Sequence, residues 1–238
     1  LGDQFGRAVA VSGDTFVTGA WLEDGAATNA GAAYVFVRAG LTWAQQGYLQ
    51  ASNAGAGDGF GTSVAIFGDT LVVGAPTEDG PTNASVNAGA AYVFVRANGV
   101  WTEQAYLRGA TPAAGNSFGT SVAIWGSTIV VGAPGDDGAG ADAGAAYVFV
   151  RSGTTWTQQA VLRGTGLTAG DSLGRAVAAA QDTVIAGAPF RDGSGADAGA
   201  AFVFTRSAGV WSQQAVLTSS TAAAGDTFGW TVGLSGDA

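Results

Sequence analysis

A 17-residue segment recurs at a nearly fixed interval along the chain, and this repetition constrains the fold more than any other feature. The copy FGTSVAIFGDTLVVGAP begins at Phe60, and FGTSVAIWGSTIVVGAP begins at Phe118. Less well preserved copies begin at Phe5, Leu173 and Phe228. Successive starts are 55, 58, 55 and 55 residues apart, and the three extra residues fall in a Gly/Pro/Asn-rich stretch. A period of this length is the signature of a repeat architecture.

The composition narrows the possible functions. The chain has no Cys and no His, and its nine basic residues are all Arg. These absences exclude disulfides, thiolate or imidazole metal sites, and Ser-His or Cys-His catalytic pairs. The net charge of −9 argues against nucleic acid as a partner, because phosphate contacts require a basic surface. No apolar run approaches the roughly 18 residues of a membrane-spanning helix, so we expect no membrane span.

Each repeat unit contains four segments with the composition of β-strands. In the second unit they are SVAIF, TLVVGA, AAYVFVR and VWTEQAYL. The two-residue link Gly68-Asp69 joins the first two segments, Pro76 ends the second, and a short turn at 97–99 joins the last two. Gly supplies positive φ in hairpin turns, and Pro is tolerated at strand ends. Each unit therefore predicts one meander of four antiparallel strands.

Two all-β architectures compete for such units, a sandwich and a β-propeller. A sandwich leaves one face of each sheet in water, which gives polar alternation. The first and third strands are instead apolar on both faces, as expected when neighbouring sheets cover each sheet on both sides. We therefore predict an all-β fold, a β-propeller of four-stranded antiparallel blades. The predicted blades are residues 5–49, 60–107, 118–162 and 173–217, and residues 228–238 form the first strand of a fifth.

The motif residues of the repeats resemble a known family. Phe60-Gly61 followed by Gly74-Ala75-Pro76 is similar to the FG-GAP repeat of integrin α-subunit propellers and their bacterial relatives. The unit at Phe118 matches equally well, whereas Leu173 and Trp21 each depart from the motif at one position. The resemblance covers essentially the whole chain. It implies a β-propeller, usually seven-bladed, that serves extracellular recognition and adhesion, and hence an extracellular or cell-surface location.

Charged residues segregate between the two faces of the predicted propeller. The long-loop face holds the connections from second to third strand and from blade to blade, and the short-turn face holds the two tight turns of each blade. The long-loop face receives Asp3, Glu23, Asp24, Asp58, Glu78, Asp79, Asp136, Asp137, Asp142, Asp171, Asp192, Asp197 and Asp226. Five Arg reduce its net charge to −8, while four Asp and four Arg balance on the short-turn face. This asymmetry favours a surface for cations or a basic partner.

The loop after each GAP motif repeats a pair of oxygen-bearing residues. The eight candidate metal ligands are Asp24, Asn29, Asp79, Asn87, Asp137, Asp142, Asp192 and Asp197. Oxygen ligands at short spacing are typical of Ca²⁺ sites, but the same residues are ordinary turn formers. The usual calcium signature of the family, Asp-x-Asp-x-Asp-Gly, is absent, and two-residue links such as Gly13-Asp14 take its place. We therefore expect weak Ca²⁺ binding at most, and no other cofactor.

Two further recurrent features are expected to serve packing. The Gly of FG permits close backbone approach, and the GAP motif ends the second strand of each blade. Four Trp, at 43, 101, 156 and 211, are each followed three residues later by Gln. Aromatic and amide groups of this kind can bind sugars, but a Trp on an outer strand more often packs on the neighbouring blade with its N–H satisfied. Asn83-Ala84-Ser85 also matches a glycosylation sequon.

Three classes of function fit these observations. The first is a non-catalytic extracellular binding or adhesion module that presents the acidic long-loop face to a protein or glycan ligand. The second is a structural or assembly subunit, with self-association through open blade edges, and a lectin-like propeller is a further alternative. An enzyme using two loop carboxylates, such as a glycosidase, would need one distinct pair of acids. Since the acids repeat from unit to unit, we expect no enzyme.

The count of repeat units predicts open blade edges. Four units and the start of a fifth close neither a four-bladed nor a five-bladed ring. Exposed strand edges of this kind favour pairing with another chain. We therefore expect these residues to belong to a larger propeller, seven-bladed by family resemblance, or to be covered by a second copy or partner.

Overall fold

The computed structural model describes residues 2–80 and 86–236, which contain sixteen β-strands in four sheets. The first blade comprises β1 (Phe5–Ser12), β2 (Thr15–Ala20), β3 (Ala32–Ala39) and β4 (Thr42–Leu49). The second comprises β5 (Ser63–Phe67), β6 (Thr70–Ala75), β7 (Ala90–Ala97) and β8 (Val100–Leu107). The third comprises β9 (Ser121–Trp125), β10 (Thr128–Ala133), β11 (Ala145–Ser152) and β12 (Thr155–Leu162). The fourth comprises β13 (Ala176–Ala180), β14 (Thr183–Ala188), β15 (Ala200–Ser207) and β16 (Val210–Leu217).

Every sheet is an antiparallel meander whose strands pair in chain order. In the second blade Ser63 pairs with Gly74, Thr70 with Val95, and Ala91 with Leu107. The four segments read from the sequence of that unit coincide with β5–β8. The predicted all-β fold, with four antiparallel four-stranded blades, is therefore confirmed. The larger, seven-bladed ring stays a prediction.

The hydrophobic core lies between successive blades. One cluster joins Val17 and Val35 of the first blade to Phe60 and Val64 of the second, and equivalent clusters join the second to the third and the third to the fourth. The first strands of successive blades are neighbours, which places them innermost. A sheet covered on both faces explains why the strands are apolar on both faces, and it excludes the sandwich.

The FG and GAP motifs form the backbone seam between blades. Phe60 N donates to Ala30 O of the preceding blade at 2.9 Å. Gly61 has φ +92, and a Cβ there would overlap the carbonyl of Ala32. A Cβ on Gly74 of GAP would likewise overlap the backbone of Gly119, in the FG motif of the next blade. The glycines are needed because two backbones approach without room for a side chain, so both motifs serve packing.

The start of the fifth unit differs from the prediction of a strand. Phe228 forms an isolated parallel bridge with Gly199, and residues 229–236 contain no strand. A strand requires a hydrogen-bonded partner along its length, and the described residues supply one only at Phe228. The sequon at 83–85 lies outside the described residues. Among residues 2–80 and 86–236, no helix is long and apolar enough to cross a membrane.

Candidate functional site

The two faces expected from the sequence exist in the structure. The connection from one blade to the next is hydrogen-bonded to the loop between the second and third strands. For example, Gly57 N donates to Thr28 O at 2.9 Å. On the opposite side, the two tight turns of a blade meet, with Arg38 N donating to Asp14 O at 2.8 Å. The acidic residues of the long loops are therefore collected on one face.

The structure divides these acids into a buried group and an exposed group. The buried acids are Asp58, Glu78, Asp136 and Asp171. The exposed acids are Asp3, Asp24, Asp137, Asp142, Asp192, Asp197 and Asp226, and Glu23 and Asp79 are partly exposed. The sequence did not distinguish the two groups, because a loop position does not reveal how its side chain is covered. Only the exposed group is available to a partner.

Asp136 is the centre of a buried polar cluster in the third blade. Its Oδ2 accepts a hydrogen bond from Tyr147 OH at 2.5 Å, and its Oδ1 accepts from Arg163 Nη2 at 2.8 Å and from Gly138 N at 3.0 Å. Burial is the largest single effect on the pKa of Asp136 and raises it, but these hydrogen bonds and the Arg163 charge together outweigh it and lower the pKa. Asp136 is therefore an ionised structural acid with its acceptor positions used.

Glu78 occupies the equivalent position in the second blade, with a different set of partners. Its Oε1 accepts hydrogen bonds from Asn53 Nδ2 at 2.9 Å and from Tyr106 OH at 2.8 Å, while its buried Oε2 has no partner among the described residues. Burial, then the hydrogen bond to Glu78, raises the pKa of Tyr106. These acids lie two residues after GAP, so the spacing from the motif was the signal that could have singled them out.

Asp58 holds the connection between the first and second blades. Its Oδ2 accepts a hydrogen bond from Gly55 N at 2.6 Å. Burial raises the pKa of Asp58; the bond from Gly55 opposes this effect, and the charges of Glu78 and Asp79 add to it. Asp171 accepts from Thr168 N at 2.8 Å in the same way two connections further on, between the third and fourth blades. These two acids build the loops rather than face a ligand.

The eight predicted metal ligands lie on the long-loop face, where each pair builds one turn. In each pair, the Oδ1 atom of the first residue accepts a hydrogen bond from the backbone N–H of the second. The donors and acceptors are Asn29 and Asp24 at 2.8 Å, Asn87 and Asp79 at 2.7 Å, Asp142 and Asp137 at 2.8 Å, and Asp197 and Asp192 at 3.0 Å. The second member of each pair has φ between 51° and 54°. Within residues 2–80 and 86–236, no three His, Cys, Asp or Glu side chains are grouped so as to hold a metal ion. Each pair therefore closes its loop through a side-chain-to-backbone hydrogen bond, and weak Ca²⁺ binding stays a prediction.

An open cleft of about 390 Å³ lies on the long-loop face beside the Asp136 cluster. It is lined by Thr111, Pro112, Ala113, Asn116, Asp136, Asp137, Gly138 and Arg163. Asp137 is exposed at its rim, and the Oδ1 atom of buried Asn116 has no hydrogen-bond partner in the described part of the chain. The cleft thus combines a carboxylate with an unused buried acceptor.

The Trp and Gln residues of the outer strands connect one blade to the next. Trp101 Nε1 donates to Gln46 Oε1 at 3.0 Å, Trp156 to Gln104 at 3.0 Å, and Trp211 to Gln159 at 2.8 Å. Each Gln is the extra residue of a β-bulge; in the first blade, Val35 pairs with Gly47 and Phe36 with Gln45, which leaves Gln46 unpaired. A bulge re-aims its side chain, here toward the following blade. The expected packing role is confirmed, and Trp101 and Trp156 are too buried for a sugar to stack on.

An Arg completes this contact on the short-turn face. Arg96 stacks on Trp101 at 5.1 Å, donates to Gln46 Oε1 at 3.2 Å and to Thr15 Oγ1 at 3.0 Å, and pairs with Asp69 at 2.6 Å. The equivalent Arg206 makes the same kinds of contact in the fourth blade. Arg38 likewise pairs with Asp14. Because these charges of the short-turn face are used in internal ion pairs, the long-loop face is the candidate binding surface.

Comparison with known proteins identifies the repeats. The family model described as FG-GAP repeat matches residues 1–36, 43–94, 101–149, 156–204 and 211–238. No curated protein matches the chain. Solved structures do match, among them a crystal structure of a Bacteroides uniformis protein provisionally described as a 6-phosphogluconolactonase, with a TM-score of 0.58 and 11% identity. The match covers 91% of this chain but 57% of the other, so this chain spans little more than half of that protein, and the likeness is one of fold alone.

Proposed function

The chain belongs to the FG-GAP repeat family, and on that premise we propose that it is a non-catalytic binding module, extracellular or on the cell surface, whose long-loop face recognises a basic region of a partner protein. The observation that carries the proposal is the one-sided charge: a net −8 on the long-loop face against zero on the short-turn face. Such a potential raises the association rate of oppositely charged partners.

The exposed acids provide the contact surface in this proposal. Asp142 and Asp197 form hydrogen bonds through their backbone N–H and carbonyl groups. Both residues are exposed, so their carboxylates can meet a ligand. The cleft next to Asp137 is a place where a side chain of the partner can insert. The buried acids, by contrast, accept hydrogen bonds from groups of the protein itself. The second and third blades share this division at Glu78 and Asp136, which supports binding over catalysis, since catalysis needs one distinct constellation.

A series of charge variants tests the proposal without altering the turns. Asn29 and Asn87 stand at the same repeat position as Asp142 and Asp197, and the four residues have nearly the same φ. The double variant Asp142→Asn/Asp197→Asn therefore removes two negative charges, and Asn29→Asp/Asn87→Asp adds two, with native precedents for both. Ser127→Asp is a control on the short-turn face, where Asp69 and Asp182 are the precedents.

Binding is measured by surface plasmon resonance against immobilised purified extracellular proteins and a glycan array, at several salt concentrations. We expect a basic protein ligand whose association rate rises from the double Asn variant to the wild type to the double Asp variant, and falls with salt. Ser127→Asp should leave the rate unchanged. Binding that is insensitive to salt and to the long-loop variants, or a glycan ligand bound equally by all variants, contradicts the proposal.

Calcium has a separate test. We expect Ca²⁺ to bind weakly at the Asp137/Asp142 and Asp192/Asp197 loops, where both members of the pair are acidic. A ligand bound only by the folded state must stabilise that state, so millimolar Ca²⁺ should raise Tm slightly over that in excess chelator. The Asp142→Asn/Asp197→Asn variant should abolish the difference. Equal Tm values in the wild type would refute Ca²⁺ binding.

A further inference from the structure

The cleft beside Asp137 lies where the chain departs from its own repeat. Thr111 lines this cleft from the connection between the second and third blades, and its side chain forms no hydrogen bond with the described residues. Asn53 stands at the same repeat position one connection earlier. Its amide donates to Glu78 at 2.9 Å and accepts from Tyr92 OH at 2.7 Å. The earlier connection therefore uses this side chain for an internal bridge, whereas Thr111 borders the cleft.

The residue after Thr111 shows the same departure. Ala54 and Leu167 stand at the repeat position of Pro112 in the neighbouring connections, and both belong to the apolar packing between blades. Pro112 is instead exposed and lines the cleft. The cleft is therefore a property of this one connection, between two complete blades, and does not follow from the repeat itself.

The cleft presents two acceptors that the fold does not use. Asn116 is 5% exposed, and its Oδ1 accepts no hydrogen bond in the described part of the chain. Asp58 and Asp171, at the same repeat position, each accept the backbone N–H of the residue three positions earlier. Asp137 is exposed; its Oδ1 accepts from Asp142 N, and its Oδ2 has no hydrogen-bond partner within residues 2–80 and 86–236. A fitting ligand must therefore donate hydrogen bonds.

The charge of the lining favours a cationic donor. Arg163 donates to Asp136 Oδ1 from Nε at 3.1 Å and from Nη2 at 2.8 Å, so these two charges offset each other. Asp137 then leaves the lining, with two carboxylates against one guanidinium, at a net charge of −1. The cleft also lies on the face with a net charge of −8, which attracts cations. A neutral hydroxyl group can donate as well, but it gains nothing from this charge.

From these observations we infer that the cleft binds the cationic end of a basic side chain, a Lys ammonium or an Arg guanidinium, which donates to Asp137 and Asn116. The inference rests on the proposed function, because it assigns one contact of the basic partner. Both groups carry several N–H donors on one positive charge, which matches a carboxylate next to an unused neutral acceptor. Pro112 and Ala113 give the aliphatic stem of such a side chain an apolar wall.

The experiment titrates the whole chain with the amino-acid probes N-acetyl-arginine methylamide and N-acetyl-lysine methylamide. Heteronuclear NMR follows the backbone amide signals of Asn116 and Gly138, which line the cleft. The matched neutral probe is the citrulline analogue, which has nearly the shape of the arginine probe without its charge. We expect at least one cationic probe to bind with a Kd on the order of millimolar, and the citrulline probe to bind at least about tenfold more weakly. The ratio of the two cationic Kd values shows which group fits better.

Four variants locate the binding site. Thr111→Asn places in the cleft the side chain that Asn53 has and should abolish binding. Asn116→Asp adds a carboxylate, as at the equivalent positions of the neighbouring connections, and should lower Kd about threefold. Asp137→Asn keeps an oxygen for the loop and should raise Kd about fivefold. Asp14→Asn removes one charge from the short-turn face and should leave Kd unchanged. Circular dichroism confirms that each variant is folded.

The outcomes separate this inference from the proposed function, because the probes report on the cleft whether or not a partner protein is found. Cationic probes that do not bind, that bind Thr111→Asn as well as the wild type, or that bind no better than the citrulline probe overturn the inference. A salt-dependent protein partner found alongside such a result leaves the proposed function intact. Probe binding that follows the variants, with no basic partner found, supports the cleft and rejects the proposed function instead.

Discussion

The first and second blades have almost the same sequence pattern, yet their equivalent residues lie in different environments. Phe5 is 58% exposed and Phe60 is fully buried, while Trp43 is 48% exposed and Trp101 is 8% exposed. The turns and the registers from Val9 and Val64 onward nonetheless agree, although β1 begins three repeat positions earlier than β5. The comparison teaches that the fold of a blade is local, whereas its burial depends on a preceding blade. Both facts are explained if the stability of the protein is the sum of the stability of each repeat and of the interfaces between neighbouring repeats, as in solenoid proteins.

Removing a motif glycine should give the largest difference between the two blades. Gly6 and Gly61 have φ +91 and +92, but a Cβ on Gly6 meets no atom within 4 Å while one on Gly61 overlaps the backbone of Ala32. Gly6→Ala should cost about 1–2 kcal/mol, from backbone strain alone. Gly61→Ala should cost more than about 4 kcal/mol or prevent folding. Urea unfolding at low protein concentration measures both, and equal costs would show that the inter-blade seam is not closely packed.

Truncating the motif aromatic should give the next largest difference. Phe60→Ala removes a fully buried ring that contacts Tyr92 and Phe94, so we expect a loss of about 3–5 kcal/mol. Phe5→Ala removes a mostly exposed ring and should cost about 1 kcal/mol or less. Thermal and urea unfolding would measure the two values. If Phe5→Ala proves as costly as Phe60→Ala in a monomeric sample, the ring of Phe5 is not exposed as the structure has it.

The buried acid of an internal blade should give a pH-dependent difference. Because hydrogen bonds and Arg163 lower the pKa of Asp136 in the folded state, the ionised form contributes stability above the unfolded carboxyl pKa of about 3.9, and this contribution is lost as pH falls through the folded pKa. Asp136→Asn should therefore cost about 2 kcal/mol at neutral pH and progressively less in acid. Glu23→Gln, at the partly exposed equivalent in the first blade, is the control with a smaller cost. A cost for Asp136→Asn that does not change with pH would contradict the role of its charge.

The smallest difference is expected at the indole N–H. Trp101→Phe leaves Gln46 without one donor in a partly buried contact, so we expect a loss of about 1 kcal/mol beyond the effect of the smaller ring. Trp43→Phe removes an N–H that has no hydrogen-bond partner among residues 2–80 and 86–236, and it should be close to neutral in the monomer. A Gln46→Ala background should cancel the hydrogen-bond part of the Trp101 effect, as measured by a double-mutant cycle. A coupling of zero would show that the bond contributes nothing.

The sequence alone determined the elements of this protein and their order. The period placed every blade, the apolar strands predicted sheets covered on both sides, and the Gly-Asp and Pro positions predicted where strands end. These features are local or follow from the repetition of the sequence, so they can be predicted without the structure. The one-sided charge was readable for the same reason, because loop type decides the face on which a residue such as Asp142 lies.

Only the tertiary structure decided which repeat contacts which, and which acids are buried. Trp101 lies three residues from Gln104 in the sequence, but its hydrogen bond goes to Gln46 in the preceding blade. The sequence could not show this, because every repeat offers the same residues at the same positions and many pairings are equivalent by pattern. The burial of Asp136 and the exposure of Asp137 were equally hidden. They differ because the side chain of Asp136 is buried against Tyr147 and Arg163, which satisfy it, and Asp137 is exposed.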